Sequence, residues 1–281
     1  MADAAYSEYC REQFCRLDPD RYLCALLAPG ATRPAIFALY AFNLEIARVR
    51  ELAREPKAGE IRLAWWHEAI EDAYAGRVRH HAVAEPLARA IARYRPRRSW
   101  FEALIEARAL DLTEAAPATL EDLERYAEAT SGGLQLLSLD FLGVQSAAAD
   151  EAARRVGIAR ALLGLSRAVP FHASAGCMYL PCDLAAQEGL ALHDLASGQG
   201  SDALRRVVKI VVERAGDHLA AARAAPDVPH EALPALWPAW LADLYRSRLA
   251  RAGHDPFSDR LDAAPLRKQF RVLSGALTGR Y

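Results

Sequence analysis

Residues 202–223 have the sequence DALRRVVKIVVERAGDHLAAAR. From Leu204 to Leu219 the apolar residues recur at intervals of three, one, three, one, three and four. This spacing gives one wide apolar stripe on a helix, whereas a half-buried strand would alternate polar and apolar residues. The stretch therefore predicts a long amphipathic helix, although four of its residues are valine, which is common in strands.

Helix start and stop signals occur elsewhere in the chain. Ser99 and Glu102 have the spacing of a capping box, and Thr119 and Asp122 form a similar start. Gly143 stands where a left-handed glycine is expected to end a helix. These signals predict helices that begin near Ser99 and Thr119.

The length of the chain and its short breaks that contain proline and glycine favour one helical domain. Residues 59–75 predict another helix, and the sequence has no Asn-Gly or Asp-Gly hairpin turn. The breaks that contain proline and glycine are short, as in loops, and no internal repeat is present. The chain has 281 residues, 52% of them hydrophobic and 25% charged, which is typical of globular proteins. We expect a single all-α domain, residues 1–281, of eight to twelve helices.

Charge and composition limit the partners. Lys and Arg total 35 and Asp and Glu total 36, so the net charge of −1 gives no reason to expect nucleic-acid binding. The five cysteines lack the Cys-x2-Cys spacing of zinc sites, so we expect reduced thiols. The sequence has no uncharged apolar run long enough for a membrane span, and residues 1–15 lack the apolar stretch of a secretory signal. We expect a cytoplasmic protein.

Four parts of the sequence form an ordered set. They are residues 33–42 (RPAIFALYAF), 65–76 (WWHEAIEDAYAG), 122–126 (DLERY) with 130–133 (TSGG), and 156–159 (VGIA) with 178–183 (MYLPCD). In this order and spacing they resemble the squalene/phytoene synthase family. The resemblance implies an isoprenoid-synthase-type helical bundle around a central cavity.

The resemblance also implies where metal ligands would stand. Members of this family ionise an allylic diphosphate that magnesium holds, and two Asp-x-x-x-Asp motifs supply the ligands. A spacing of four residues places both carboxylates on one helix face. At the family register the first motif here is Ala47–Glu51, and the second is Ala168–His172. Ala47, Ala168 and His172 thus replace three of the four aspartates, which implies no catalytic residues, no metal and no cofactor.

A non-catalytic branch of the family is the better match. Residues 43–45 (NLE), 128–130 (EAT) and 166–172 (SRAVPFH) resemble the group that includes NADH dehydrogenase (complex I) assembly factor six. Members of that group keep the synthase fold without its aspartates. The resemblance implies a pseudoenzyme that acts in respiratory complex I assembly, with complex I subunits or assembly intermediates as partners.

A remodelled pocket is expected where a synthase holds its substrate. The expected lining comprises Tyr40, Asn43, Glu45, Gln135, Arg167 and Phe171. At the family register Gln135, Leu163 and Phe171 point inward, which would make the cavity narrow and apolar. The alternative is that polar residues such as Asn43 and Arg167 only satisfy backbone groups of helices broken near Pro170.

A dense basic cluster marks a second candidate site. Its members are Arg89, Arg93, Arg95, Arg97 and Arg98. Cations stabilise a helix C-terminus, which is the simplest explanation of the cluster. Five arginines exceed that need and favour a docking patch for anionic lipid or an acidic partner, peripherally at the inner membrane. We expect Trp237 and Trp240 to be packing anchors, with insertion into a membrane surface as the alternative.

Two other functions remain open from the sequence. An active prenyl-diphosphate transferase of the head-to-head type would have to recruit other ligands, such as Glu45, Glu51 and Asp140. An isoprenoid or lipid carrier would use the inherited cavity without turnover. The missing Asp-x-x-x-Asp pairs disfavour the transferase, whereas the sequence does not distinguish the carrier from the assembly protein.

Overall fold

Helices make up all of the regular structure in the described part of the chain. The computed structural model describes residues 2–53, 55–113, 115–190, 195, 198 and 200–281. The α-helices of the first half are α1 (Ala2–Leu17), α2 (Pro19–Ala25), α3 (Arg33–Ala47), α4 (Val49–Leu52), α5 (Pro56–Tyr74), α6 (Ala84–Tyr94), α7 (Arg98–Ala109) and α8 (Leu120–Ala127). Those of the second half are α9 (Gly133–Leu142), α10 (Ala147–Arg167), α11 (Val169–Ser174), α12 (Cys182–Gln187), α13 (Asp202–Arg223), α14 (Leu233–Leu236), α15 (Pro238–Arg251) and α16 (Pro265–Thr278). The all-α class is confirmed.

The described residues contain sixteen α-helices, so the expected range of eight to twelve was too low. The surplus arises because continuous helical runs are interrupted. Ala168 separates α10 from α11, and Trp237 separates α14 from α15. Pro170 and Pro238 lie in the first turn of the helix that follows, where the missing backbone N–H has no partner to lose.

The long amphipathic helix predicted from residues 202–223 is α13. Its valines and leucines are buried, and α13 packs along α10. Ser201 caps it, since its side-chain oxygen accepts the N–H of Leu204 at 3.1 Å. The stripe of small and branched side chains is what allows two long helices to pack closely along their length.

Local capping signals had mixed outcomes. Thr119 and Asp122 form the predicted reciprocal box, with N–H···O distances of 3.0 and 3.2 Å, and Gly143 ends α9 at a φ of 75°. Ser99, in contrast, lies inside α7, which begins at Arg98. The capping box predicted there was wrong because a long-range contact replaces it: the Arg97 N–H donates to a carboxylate oxygen of Asp140 at 2.8 Å.

A π-helical turn, Glu128–Gly132, joins α8 to α9 and touches α10. At the contact Gly157 is required, because a Cβ there would lie 2.5 Å from Cα of Gly132 and 2.6 Å from the carbonyl oxygen of Ser131. Single π turns occur often near functional sites, where they redirect side chains. Here the backbone of the π turn lies directly against the backbone of α10.

Candidate functional site

The two motif positions lie on helices that approach each other. Ala47 is the last residue of α3, and Glu51 lies in α4. Ala168 precedes α11, which carries His172. Arg50 on α4 donates to the backbone carbonyl of Asp111 at 3.0 Å, and Tyr179 donates to the Asp111 carboxylate at 2.7 Å. The ring of Tyr179 lies 4.6 Å from that of His172, so α4 lies near α11. The fold therefore brings the remnants of both motifs to one region.

His172 is packed against an aromatic ring. The centroids of His172 and Tyr179 are 4.6 Å apart, and the buried Nδ1 of His172 has no hydrogen-bond partner among the described residues. Burial lowers the pKa of His172 below its ordinary value. The cavity beside it has a volume of about 10 Å³, which leaves space for one water at most. His172 is thus uncharged near neutral pH.

A buried carboxylate that sequence reasoning missed lies next to this ring. Asp111 is 4% exposed and accepts hydrogen bonds at 2.7 Å from the hydroxyls of both Tyr126 and Tyr179. The Arg108 guanidinium donates to its other oxygen at 3.1 Å, and Arg50 donates to its backbone carbonyl at 3.0 Å. The network joins α4, α7 and α8 to the segment that follows α11.

Three of the expected pocket residues lie buried in the interior. The hydroxyl of Tyr40 lies 3.5 Å from Oε1 of Gln135, and burial raises the pKa of Tyr40. Gln135 Nε2 and Asn43 Oδ1 are buried with no hydrogen-bond partner among the described residues. Leu163 is also buried, as the family register implied. The interior between α3 and α9 thus keeps unpaired polar atoms, which are costly in a packed core.

Two other expected pocket residues lie elsewhere. Glu45 pairs with Arg62 at 2.5 Å in a separate groove of about 440 Å³ that His81 also lines. Phe171 is 57% exposed, so its ring faces solvent rather than the interior as expected. Val169, two residues earlier on the same short helix, is buried instead. A helix as short as α11 buries only one face, and Val169 lies on that buried face.

Arg167 belongs to a charged cluster between α2, α10, α15 and α16. Its guanidinium carbon lies 3.5 Å from the ring centroid of Tyr245, whose hydroxyl donates to Asp20 at 2.5 Å. Lys268 donates to Asp20 at 2.8 Å, and Arg160 lies 4.0 Å away. Burial opposes ionisation of Asp20, but these cations and the hydroxyl outweigh it and keep the pKa of Asp20 below its ordinary value. Asp20 is therefore a counter-charge of Lys268 and Arg160, and the carboxylate of Asp262 lies 3.4 Å from the guanidinium of Arg167.

The arginines of the basic cluster have different surroundings. Arg89 pairs with Glu85 at 2.9 Å, and Arg98 donates to Glu102 at 2.7 Å. Arg97 lies between two carboxylates, with N···O distances of 2.8 Å to Asp140 and 2.5 Å to Asp150. The exposed members of the cluster are Arg93 and Arg95. The docking patch stays a prediction, and Arg93 and Arg95 are the side chains through which it would act.

The carboxylates that a transferase would have to recruit are engaged with arginines. The partner of Glu45 is Arg62 at 2.5 Å, and the partner of Asp140 is Arg97 at 2.8 Å. Glu51 pairs with Arg48 at 3.1 Å. Among the residues that the structure describes, no group of three or more His, Cys, Asp or Glu side chains is placed to hold a metal ion.

Comparison with known proteins decides the family. Residues 16–269 match the family described as squalene/phytoene synthase. The chain belongs to the squalene/phytoene synthase family. The mouse (Mus musculus) protein "NADH dehydrogenase (ubiquinone) complex I, assembly factor 6" is 34% identical over 254 residues, which cover 90% of this chain and 76% of that protein.

Family members named as enzymes are also similar to the chain. The 15-cis-phytoene synthase of Synechococcus elongatus is 30% identical over 265 residues, which cover 87% of this chain and 82% of that protein. A crystal structure of a dehydrosqualene synthase in complex with ligand superposes with a TM-score of 0.86 and 18% identity, covering 98% of this chain and 96% of that one. The isoprenoid-synthase-type bundle is thereby confirmed.

The magnesium cluster implied by the squalene/phytoene synthase family does not fit the residues at the motif positions. Magnesium takes hard oxygen ligands in octahedral geometry. Ala47 and Ala168 offer no side-chain donor, His172 offers a buried nitrogen, and Glu51 is paired with Arg48.

Within the described residues, moreover, no helix is both long and apolar enough to cross a membrane.

Proposed function

We propose that this member of the squalene/phytoene synthase family is a non-catalytic assembly factor for respiratory complex I. The observation that carries the proposal is that Ala47, Ala168 and His172, at the positions expected for the two motifs, have no carboxylate oxygen to offer to magnesium. The similarity to assembly factor 6 over 90% of the chain supports the same function. In this proposal the partners are complex I subunits or assembly intermediates.

The interior contacts support a protein that binds no diphosphate. A diphosphate would need free cations, yet Asp20 already accepts from Lys268 and lies close to Arg160. The interior beside His172 holds a cavity of only about 10 Å³, far below the few hundred cubic ångströms of a typical small-molecule site. The proposal therefore assigns the inherited fold a scaffolding role.

Contact with the assembly machinery would use the exposed arginines. Arg93 lies in the last turn of α6, and Arg95 caps that helix in the left-handed conformation, with a φ of 48°. Exposed cations attract an acidic partner surface or anionic headgroups, and salt screens this attraction. We propose a cytoplasmic protein that docks peripherally at the inner membrane.

Gene deletion in the native host tests the proposal. We expect assembled complex I and NADH:quinone activity to fall, while carotenoid, hopanoid and squalene contents stay normal.

The wild-type gene should restore complex I, and a gene carrying Arg93→Glu and Arg95→Asn should restore it poorly. Asn tolerates the left-handed backbone at position 95. The matched control is Arg251→Glu with Arg260→Asn, since both of these arginines are also exposed. Normal complex I together with a missing isoprenoid would overturn the proposal.

A transferase is the second candidate, favoured by the 30% identity to a phytoene synthase. Thermal melting with farnesyl diphosphate, with and without magnesium, separates the two candidates. A ligand at one hundred times its dissociation constant stabilises the folded state by about 2.7 kcal/mol. The assembly-factor proposal expects no magnesium-dependent rise in melting temperature, and a clear rise would favour the transferase.

A further inference from the structure

The last helix of the chain carries an uncovered apolar stripe. Helix α16 spans Pro265–Thr278, and its large exposed side chains are Leu266, Phe270, Leu273 and Leu277. Their spacing of four, three and four residues places all of them on one helix face. Phe270 is 72% exposed and Leu277 is 89% exposed. Exposed apolar patches of this kind mark interaction or membrane sites more often than isolated exposed residues do.

The opposite face of α16 fixes the helix to the body of the protein. Val272 is fully buried, and Gly275 lies so close to the indole of Trp240 that a Cβ there would overlap the ring. Lys268 reaches inward to Asp20 at 2.8 Å, and the Trp240 Nε1–H donates to the backbone carbonyl of Arg280 at 3.0 Å. Because these contacts hold the inner face, the apolar stripe cannot turn toward the core.

The charges on α16 and on the residues after it have one sign. Arg267, Arg271 and Arg280 are exposed, and residues 265–281 include no Asp or Glu. We propose that α16 binds the surface of a membrane that contains anionic lipid: the apolar stripe enters the acyl boundary and the arginines contact phosphate headgroups. A cationic helix with one apolar face and no opposing acid has the chemistry of such interfacial helices.

A second copy of this chain fits the stripe less well. Pairing α16 with itself would bring the exposed arginines of two helices together without any acid on either helix, and like charges repel at such distances. A bilayer surface with anionic lipid supplies the opposite charge along the whole helix. The stripe spans twelve residues from Leu266 to Leu277, roughly 16 Å at the helical rise, and this length lies flat on a membrane without crossing it.

Vesicle flotation with the full-length protein tests the proposal. We expect binding to vesicles of phosphatidylcholine mixed with phosphatidylglycerol and much weaker binding to phosphatidylcholine alone. Phe270→Ser with Leu277→Ser should weaken binding roughly 100-fold, since burial of each large apolar side chain is lost. Arg267→Glu should weaken it about tenfold, and high salt should act in the same direction. The matched control is Ile61→Ser with Val78→Ser, whose side chains are comparably exposed on other parts of the chain.

The outcomes separate the occupants of the stripe. Loss of binding in the α16 variants, with binding retained in the control, supports the membrane site. Absence of binding by the wild-type protein, or equal binding by wild type and Phe270→Ser with Leu277→Ser, overturns it. If the α16 variants change the oligomeric state in sedimentation but leave vesicle binding unchanged, the proposal is also overturned, and the stripe is assigned to a second copy of the chain. Because the test needs no complex I, its result is independent of the assembly role.

Discussion

Arg167 stacks on Tyr245, with 3.5 Å between the guanidinium carbon and the ring centroid. The hydroxyl of the same tyrosine donates to Asp20 at 2.5 Å, and Lys268 donates to that carboxylate as well. An arginine that directly precedes the second motif is therefore linked through one ring to a carboxylate on α2. The cation–π contact and the ion pairs hold together four helices from opposite ends of the sequence.

The first prediction concerns Asp20. Because the Asp20 carboxylate is largely buried and faces Arg160 and Lys268, Asp20→Asn leaves Lys268 without its counter-charge and leaves Arg160 with only Asp18 at 3.9 Å. We expect the free energy of unfolding to fall by about 3 kcal/mol, measured by urea denaturation.

The control for Asp20→Asn is Asp202→Asn, a change at an exposed carboxylate that pairs with Arg205 at 2.9 Å. Exposed pairs contribute little, so we expect a change within about 0.5 kcal/mol. Equal stabilities of the wild type and Asp20→Asn would mean that solvent, and not the Asp20 carboxylate, compensates the charges of Arg160 and Lys268.

The sequence allowed the fold to be predicted because its strongest signals are local and periodic. The stripe from Leu204 to Leu219 needs only one helix to be recognised, and the reciprocal box of Thr119 and Asp122 forms within one turn. The Ser99 signal failed because the helix begins earlier, at Arg98, where the distant carboxylate of Asp140 accepts the Arg97 N–H. Local patterns are reliable only where no distant contact changes where a helix begins.

The interior network was less predictable for the same reason. Tyr126 and Tyr179 lie in two of the segments that resemble the family, but Asp111 lies in none of them and follows α7 as part of a short turn. The three polar groups meet only in the folded chain, because Tyr126 lies on α8 and Tyr179 follows α11. The family register indicates which residue of α11 corresponds to a pocket position, but it does not indicate which face of this six-residue helix is buried. Phe171 was therefore expected in the interior.

A second prediction uses two glycines of α10. Gly157→Ala would place a Cβ 2.5 Å from Cα of Gly132, so we expect a loss of about 2 kcal/mol or more in the free energy of unfolding. Gly164→Ala on the same helix meets no atom within 4 Å. It should stabilise the protein by about 0.5–1 kcal/mol, since alanine is the better helix former. Equal effects of both changes on a thermal melt would contradict the close approach of α10 and the π turn.

The third prediction concerns the buried carboxylate of Asp111. Asp111→Ala removes the acceptor of Tyr126, Tyr179 and Arg108, which are themselves buried or partly buried. We expect a loss of about 3–5 kcal/mol in the free energy of unfolding, measured by denaturant titration. Tyr126→Phe removes one donor to the carboxylate and one acceptor of Arg108, but it leaves the Asp111–Arg108 pair in place, so it should cost about 1–2 kcal/mol. A smaller loss for Asp111→Ala than for Tyr126→Phe would contradict a network centred on the carboxylate.

The fourth prediction concerns pH and His81. The Nδ1 of His81 accepts the backbone N–H groups of Val83 at 3.1 Å and Ala84 at 3.3 Å at the start of α6. Burial lowers the pKa of His81 below its ordinary value. Above the unfolded pKa of about 6.5 both states are neutral and the stability is complete. As the pH falls through that value the unfolded chain binds a proton first, so stability is lost.

His81→Asn keeps a side-chain oxygen that accepts these N–H groups but does not titrate. We compare the free energy of unfolding of the wild type with that of His81→Asn. The wild-type value minus the variant value should fall as the pH is lowered from about 7 to about 5, because only the wild type loses the contribution of His81. His81→Ala removes the acceptor and should cost about 1 kcal/mol relative to His81→Asn at every pH in that range. The other histidines are common to all three proteins and cancel in the difference. A difference between wild type and His81→Asn that stays constant with pH would show that His81 titrates alike in the folded and unfolded states.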